Sequence, residues 1–286
     1  MTVRLAGLEL AHPVLNASGT LDALAAHAVL GDATLGCAAH VTKTITPEPR
    51  AGNPPPRIAE VRGGLVNSIG LPGPGVEAFR RTVLPATAAV VDVPLIVSVG
   101  GFGVDDYARV VEELDAEPAV AALELNLSCP NVESGCASIG FDPRETEAVV
   151  AACRARTGKA LLVKLAPTTS ALADVARAAE AAGAAALTIG NTVPGTVVAR
   201  GRGGSGLGGG GGGLSGPAIR PVALRAVLEV RVAVSIDLVG LGGVETREDA
   251  RDLLEAGAVA VGVGTAIFRD PRTPARVRDG LAAALA

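Results

Sequence analysis

The densest chemistry in the chain lies in Asn126-Leu127-Ser128-Cys129-Pro130-Asn131, directly after the apolar run Val120 to Leu125. Two carboxamides flank a thiol at the end of an expected strand. A carboxamide presents a donor beside an acceptor and so suits the edge of a planar heterocycle. A thiol can act as base or nucleophile once deprotonated. The rest of the chain is amide-poor, with no Gln and six Asn: Asn16, Asn53, Asn67, Asn126, Asn131 and Asn191. Four of the six fall at or just beyond an expected strand end, where surface filler would be scattered. Lysine is scarcer still, 3 Lys against 22 Arg. Lys159 sits in an Arg-Thr-Gly-Lys turn and reads as a surface residue. Lys43 and Lys164 each close an apolar run, and a lysine directed into a strand-lined interior is costly without a partner. Both are therefore read as functional.

Other chemistries find little support. Cys37, Cys129, Cys136 and Cys153 form no CxxC pair, so neither a disulfide framework nor a zinc or iron–sulfur site is expected within this chain. Cys37 and Cys153 read as packing residues. His12, His27 and His40 lack metal-ligand spacing, and no metal is expected. A net charge of -4 argues against a broad nucleic-acid surface. No apolar run reaches membrane-spanning length, and the first residues lack the form of a signal peptide. A soluble, cytoplasmic protein is expected, without nucleic-acid or membrane partners.

The elements that must position these residues follow from periodicity. Short apolar runs at 13–17, 38–43, 94–99, 121–126, 160–165, 184–190, 234–239 and 258–263 alternate with amphipathic helical stretches. Eight strands, each followed by a helix, give a (β/α)8 TIM barrel filling one domain, residues 1–286. A doubly wound open sheet competes, but its glycine fingerprint after the first strand is missing. Two loop insertions are expected over the C-terminal mouth. One is the Pro- and Gly-rich segment 44–74. The other is 193–216, whose stretch Gly201–Gly213 holds ten Gly in thirteen residues. That stretch is expected to be neither helix nor ordered strand, and reads equally as a flap over the site or as a tolerated insertion. Barrel enzymes place their sites at strand C-termini. Ala17-Ser18-Gly19, Lys43, Asn67, Asn126, Cys129, Asn131, Lys164 and Asn191 all fall at that end. So do Gly242-Gly243 and Gly264-Thr265, which follow the last two strands and suit a phosphate cradle, as in a cofactor such as FMN.

Asn67-Ser68-Ile69-Gly70-Leu71-Pro72, Asn126–Asn131, Val163-Lys164-Leu165, Asn191-Thr192 and Gly213–Pro217 together resemble the dihydroorotate dehydrogenases, from about Arg4 to Phe268. The segment Lys43–Arg57 is most similar to their class 1B catalytic subunits. The resemblance implies an FMN-bound barrel that oxidises dihydroorotate to orotate in pyrimidine synthesis. It makes Cys129 the base for the C5 proton while hydride passes from C6 to flavin N5, with Lys43 beside both. It assigns the substrate to Lys43, Asn67, Ile69, Gly70, Leu71, Asn126, Asn131, Asn191 and Thr192. It assigns the cofactor to Ala17, Ser18, Gly19, Lys43, Thr44, Asn126, Lys164, Ile189, Gly216, Gly242, Gly243, Gly264 and Thr265. It also implies a catalytic homodimer within a heterotetramer, whose second subunit carries FAD and a [2Fe–2S] cluster and passes electrons to NAD. Gly135-Cys136, Phe102 and the Gly201–Gly213 run depart from the family pattern. Three other readings stand beside it: a dihydropyrimidine dehydrogenase-like enzyme acting on uracil or thymine, a flavin barrel reducing tRNA uridine, and a catalytically silent flavin-binding subunit.

Overall fold

A computed structural model describes residues 2–128, 139–201 and 203–283. Cys129, Asn131, Gly135 and Cys136 lie outside the described residues. The chain opens with an antiparallel hairpin, β1 (Val3–Leu5) and β2 (Leu8–Leu10). Its turn is Ala6-Gly7, both at positive φ (50° and 85°), the backbone that a two-residue hairpin needs. Next come β3 (Val14–Asn16) and β4 (His40–Val41), and then a second hairpin, β5 (Ile58–Val61) and β6 (Gly64–Asn67). The chain continues through β7 (Leu95–Val99), β8 (Val120–Asn126), β9 (Ala160–Leu165) and β10 (Ala186–Ile189). It ends with β11 (Val193–Gly195), β12 (Gly212–Ser215), β13 (Asp237–Leu241) and β14 (Ala260–Val263).

Eight of these strands form one parallel sheet in the order β3-β14-β13-β10-β9-β8-β7-β4, with helices between them. The TIM-barrel expectation is met. The sheet closes at the β3–β4 seam in an unusual way. Ala38 donates to the Val14 carbonyl at 2.8 Å, and one strand turn above, a side chain replaces the ladder. Asn16 Nδ2 donates to the Val41 carbonyl and its Oδ1 accepts from the Val41 N–H, both at 2.8 Å.

Parallel strands covered on both faces read as continuous apolar runs, and Leu95–Val99 is buried throughout. Alternation divides each strand between two cores. Val97, Leu123, Leu125, Val163, Leu187 and Val261 pack outward against helix residues such as Val110, Val149, Val175 and Leu253. Ile96, Ala122, Leu162 and Ala186 point inward and meet Leu5 and Leu10 of the N-terminal hairpin, which seals the lower end of the barrel. Two residues further along those four strands, the inward positions become Ser98, Glu124, Lys164 and Thr188, all buried. The barrel interior is therefore apolar below and polar above.

Several boundaries differ from expectation. The strand expected at 234–239 begins only at Asp237, because the Arg231 guanidinium takes the carbonyls of Val234 and Ile236. The strand expected at 38–43 shortens to His40–Val41. The N-terminal hairpin was not expected at all. The glycine-rich run is also corrected: Gly212 and Gly213 open β12, an ordered strand paired with β6 and β11. Glycine is required there because a Cβ on Gly212 would overlap the Asn67 carbonyl, and one on Gly213 the Thr192 hydroxyl. The four-stranded sheet β11-β12-β6-β5 thus joins both insertions.

Candidate active site

A cavity of about 350 Å³ opens at the C-terminal end of the barrel, within the size range of small-molecule sites. Its lining gathers nearly every described residue singled out from the sequence. Ala17, Ser18, Gly19, Lys43, Thr44, Asn126 and Lys164 form its floor and one wall. Asn67, Ile69, Gly70, Leu71, Asn191 and Thr192 form another. Gly216, Gly242, Gly243, Gly264 and Thr265 complete the circuit. Ile189 is the exception. Its side chain is fully buried in the outer core between strands and helices and does not line the cavity. Cys129 and Asn131 lie outside the described residues.

Hydrogen bonds fix the amides in place. The Asn126 amide donates to Thr44 Oγ1 at 3.1 Å, and Thr44 shares a hydrogen bond with Ser98 at 3.0 Å. Behind it the buried hydroxyl of Tyr107 donates to the Asn126 carbonyl at 2.8 Å. Asn191 Nδ2 donates to Ser128 Oγ at 2.7 Å, and Ser128 in turn donates to Asn126 Oδ1 at 3.3 Å. The segment immediately before Cys129 is thus tied to two strand ends. Across the mouth, Asn67 Nδ2 donates to the Gly213 carbonyl at 3.2 Å. Gly70 and Leu71 follow with positive φ (76° and 52°), a costly conformation for leucine. Asn53 holds this turn by donating from its backbone to the Ile69 carbonyl (3.0 Å) and from its side chain to Ser68 Oγ (2.9 Å). Asn53 and Asn16 are therefore scaffold amides, whereas Asn67, Asn126 and Asn191 reach the cavity.

Glu124 was missed from the sequence. It lies on β8 two residues before Asn126, is 3% exposed, and approaches Lys164 Nζ to 4.0 Å. Thr188 Oγ1 donates to its second oxygen at 2.9 Å. Inward alternation along Ala122-Leu123-Glu124-Leu125-Asn126 was the available signal. Ser215, Ile58, Leu65 and Phe268 also line the cavity without having been singled out.

Among the described residues, thiol chemistry is suppressed. Burial pushes Cys37 and Cys153 up to about 12, Cys37 with help from Asp32, so both are neutral packing groups at pH 7. Among the described residues no cluster of His, Cys, Asp and Glu could hold a metal ion, and no helix is long and apolar enough to cross a membrane.

The residues fit a flavin with a phosphate tail. Gly216, Gly242 and Gly243 hold φ of 98°, 132° and 73°, which keeps bare backbone against the cavity. Cβ atoms on Gly242 and Gly243 would press into Ala223 and Arg220 at 2.7 and 2.8 Å. At the opposite end a buried ammonium lines the floor, where electron density arriving on a heterocycle would be stabilised.

Comparison with known proteins agrees with this geometry. The model of the dihydroorotate dehydrogenase family matches residues 1–285. The chain belongs to that family. Among curated relatives, the dihydroorotate dehydrogenase B (NAD(+)) catalytic subunit of Desulforudis audaxviator is 48% identical, covering 98% of this chain and 90% of its own. The subunit of the same name from Trichlorobacter lovleyi is 43% identical over 98% and 92%. A crystal structure of DHODH in complex with ferulenol from Eimeria tenella matches with a TM-score of 0.81 at 24% identity, covering 99% of this chain and 84% of that one, which supports the fold. The enzyme class and the class 1B resemblance drawn from the motifs agree with these relatives, and the family is flavin-dependent.

Proposed function

We propose that this chain is the FMN-binding catalytic subunit of an NAD-linked dihydroorotate dehydrogenase of the cytoplasm, oxidising (S)-dihydroorotate to orotate. The observation that carries the reading is the convergence of Asn67, Asn126, Asn191, Thr192, Lys43 and buried Lys164 on one cavity. A planar ring bearing a carboxylate and two ring amides needs such a set of donors, acceptors and cations.

Bound in the cavity, FMN supplies the acceptor for the substrate's hydride. The protein's own groups do the rest. Gly242, Gly243, Gly264 and Thr265 offer backbone to the phosphate, and Gly216 allows close approach. Ala17, Ser18, Gly19 and Thr44 shape the wall on either side of Lys43. Its aliphatic stem packs over Gly19, where an added Cβ would lie 3.2 Å from Lys43 Cδ. Lys43 therefore spans the region where substrate and cofactor meet. Asn67, Asn126, Asn131, Asn191 and Thr192 hold the substrate ring, with backbone from Ile69, Gly70 and Leu71. Cys129, the next residue after the anchored Ser128, takes the proton from C5 as the C6 hydride departs, so two electrons and two hydrogens leave the C5–C6 bond. Lys164 faces the accumulating negative charge from the floor. A second subunit carrying FAD and a [2Fe–2S] cluster would accept the electrons, in a heterotetramer built on a catalytic homodimer.

Anaerobic titration of the purified flavoprotein tests this. Bleaching of the flavin band by dihydroorotate but not by dihydrouracil is the expected result. A yellow protein that stays oxidised with dihydroorotate, or one bleached by dihydrouracil, overturns the substrate assignment.

A further inference from the structure

The mechanism proposed above gives no task to Glu124, yet this side chain occupies one of the most expensive positions in the barrel. It is 3% exposed, Lys164 is 5% exposed, and the layer of side chains beneath them is Ala122, Leu162 and Ala186. A charge at that depth persists only with a partner. The strand register places the pair side by side: Asn126 and Thr188 lie opposite Lys164 on its two neighbouring strands, and Glu124 projects inward one step below Asn126. The gap of 4.0 Å between Glu124 Oε1 and Lys164 Nζ is too long for a hydrogen bond. Glu124 Oε1 has no hydrogen-bond partner, although it is buried. Its other oxygen is anchored by Thr188.

This arrangement separates two requirements. The carboxylate supplies the opposite charge that a buried ammonium needs. It does so from 4.0 Å, without a direct hydrogen bond to the ammonium, and Lys164 itself lines the cavity. We propose that Glu124 is a positioning residue, the buried counter-charge that holds the Lys164 side chain beneath a bound flavin. The assignment rests on the flavin reading above. Among the described residues, the other charged groups of the cavity do not substitute for it. Lys43 has the same sign as Lys164, and Glu245 stands at the rim beside Arg269, at 3.7 Å. The residues level with Lys164 on its two neighbouring strands are the neutral Asn126 and Thr188.

The chain's three lysines make the test direct. In protein labelled with 13C at lysine Cε, three resonances are followed against pH, that of Lys164 being assigned by its loss in Lys164→Met. Glu124→Gln is expected to lower the proton affinity of Lys164 by about tenfold or more. Thr188→Val, which only loosens Glu124, moves it the same way by less and serves if the first variant folds poorly. On the flavin-loaded protein, a reduction in which no lysine changes its protonation takes up two electrons and one proton. The midpoint potential then falls about 30 mV per pH unit, the two-electron equivalent of a tenfold change in proton concentration. In Glu124→Gln the lysine takes up a second proton, and the slope doubles across its titration range. Adding Lys164→Met to that variant restores the single-proton slope. Superimposable lysine titrations in parent and Glu124→Gln, or an unchanged slope, overturn the assignment. A chain that binds no FMN while its lysines titrate as expected would instead reject the flavin reading and leave the pairing intact.

Discussion

Replacing Asn16 with Ala should cost more stability than deleting any comparably small surface group, because this amide replaces a stretch of β-ladder. Its side chain closes the barrel through two 2.8 Å hydrogen bonds to one residue, Val41. A third bond, to the Ala17 carbonyl, is 3.2 Å long. Asn16 is 1% exposed and Val41 4%, so truncation leaves the Val41 N–H and C=O buried without partners. Each stranded group costs about 1–3 kcal/mol. Their sum is roughly 2–5 kcal/mol once water enters the small space left by the amide, a large share of the ~5–15 kcal/mol typical of a folded domain. In a chain of this size that is a fall of about 5–15 °C in Tm. With no Trp and a single Tyr, the transition is best followed by far-ultraviolet circular dichroism in urea, comparing midpoints at constant m-value. Asn16→Asp provides an internal control. Its carboxylate still accepts from the Val41 N–H but opposes the Val41 carbonyl. The variant should therefore be weak at pH 7 and recover part of the deficit, relative to the parent protein, where the carboxyl is protonated. An Asn16→Ala protein within about 0.5 kcal/mol of the parent would refute the view that a side chain closes the seam.

Burial pushes His40 down to about 4, with Asp22 opposing only in part, so it folds as the neutral imidazole. Above pH 6.5 folded and unfolded chains are both neutral at this residue. As the pH falls from there through about 4, the unfolded chain takes up the proton first and stability is lost. A gap of about 2.5 units at 1.36 kcal/mol each amounts to roughly 3 kcal/mol. His40→Leu should flatten the stability profile in that window, and an unaltered acid limb would exclude His40 as its cause. Gly213→Ala forces a methyl group into the Thr192 hydroxyl. A shift of that size at a proposed substrate ligand should lower kcat/KM for dihydroorotate by roughly tenfold to a hundredfold, with little change in flavin content. Near-parental kinetics would mean that Thr192 does not touch the substrate. Cys129→Ser should slow flavin reduction by dihydroorotate at neutral pH and restore some of it at high pH, since an alcohol ionises far less readily than a thiol and so offers little deprotonated base at pH 7. Stopped-flow traces matching the parent at pH 7 would remove Cys129 from that role.

The parts of the site readable from sequence are those whose chemistry is local to a strand end. Asn126, Lys164 and Asn191 follow apolar runs, and period-two alternation was enough to bring them to one mouth. Omissions and one misreading arose where long-range packing decides. Asn16 carries the same side chain as Asn67, yet only the closure of β3 on β4 reveals that its partner is backbone and not ligand. The glycine run was judged by intrinsic flexibility. Its last residues are glycine because Asn67 and Thr192, distant in sequence, approach too closely for a Cβ. The N-terminal hairpin is three residues a side, short enough to escape notice, although Val3-Arg4-Leu5 and Leu8-Glu9-Leu10 alternate cleanly around Gly7.

Glu124 is the instructive omission, because it was legible by the argument that identified Lys164. A carboxylate in the apolar frame of β8, in phase with Asn126, must enter the barrel. The physical meaning of that placement follows from what buried ion pairs do. Replacing such a pair with apolar side chains is often neutral or stabilising, so the Glu124–Lys164 pair is poor evidence of a stability device. Directly beneath it, Ala122, Leu162 and Ala186 show that the same strands fill the barrel with hydrocarbon where nothing else is required. The change from hydrocarbon to charge occurs within one side-chain layer, at the floor of the cavity. A barrel that needed only to fold could continue the apolar layer upward. The observed switch places a lysine with its counter-charge at the floor of the site, an arrangement whose benefit appears only when a ligand that gains negative charge is bound above.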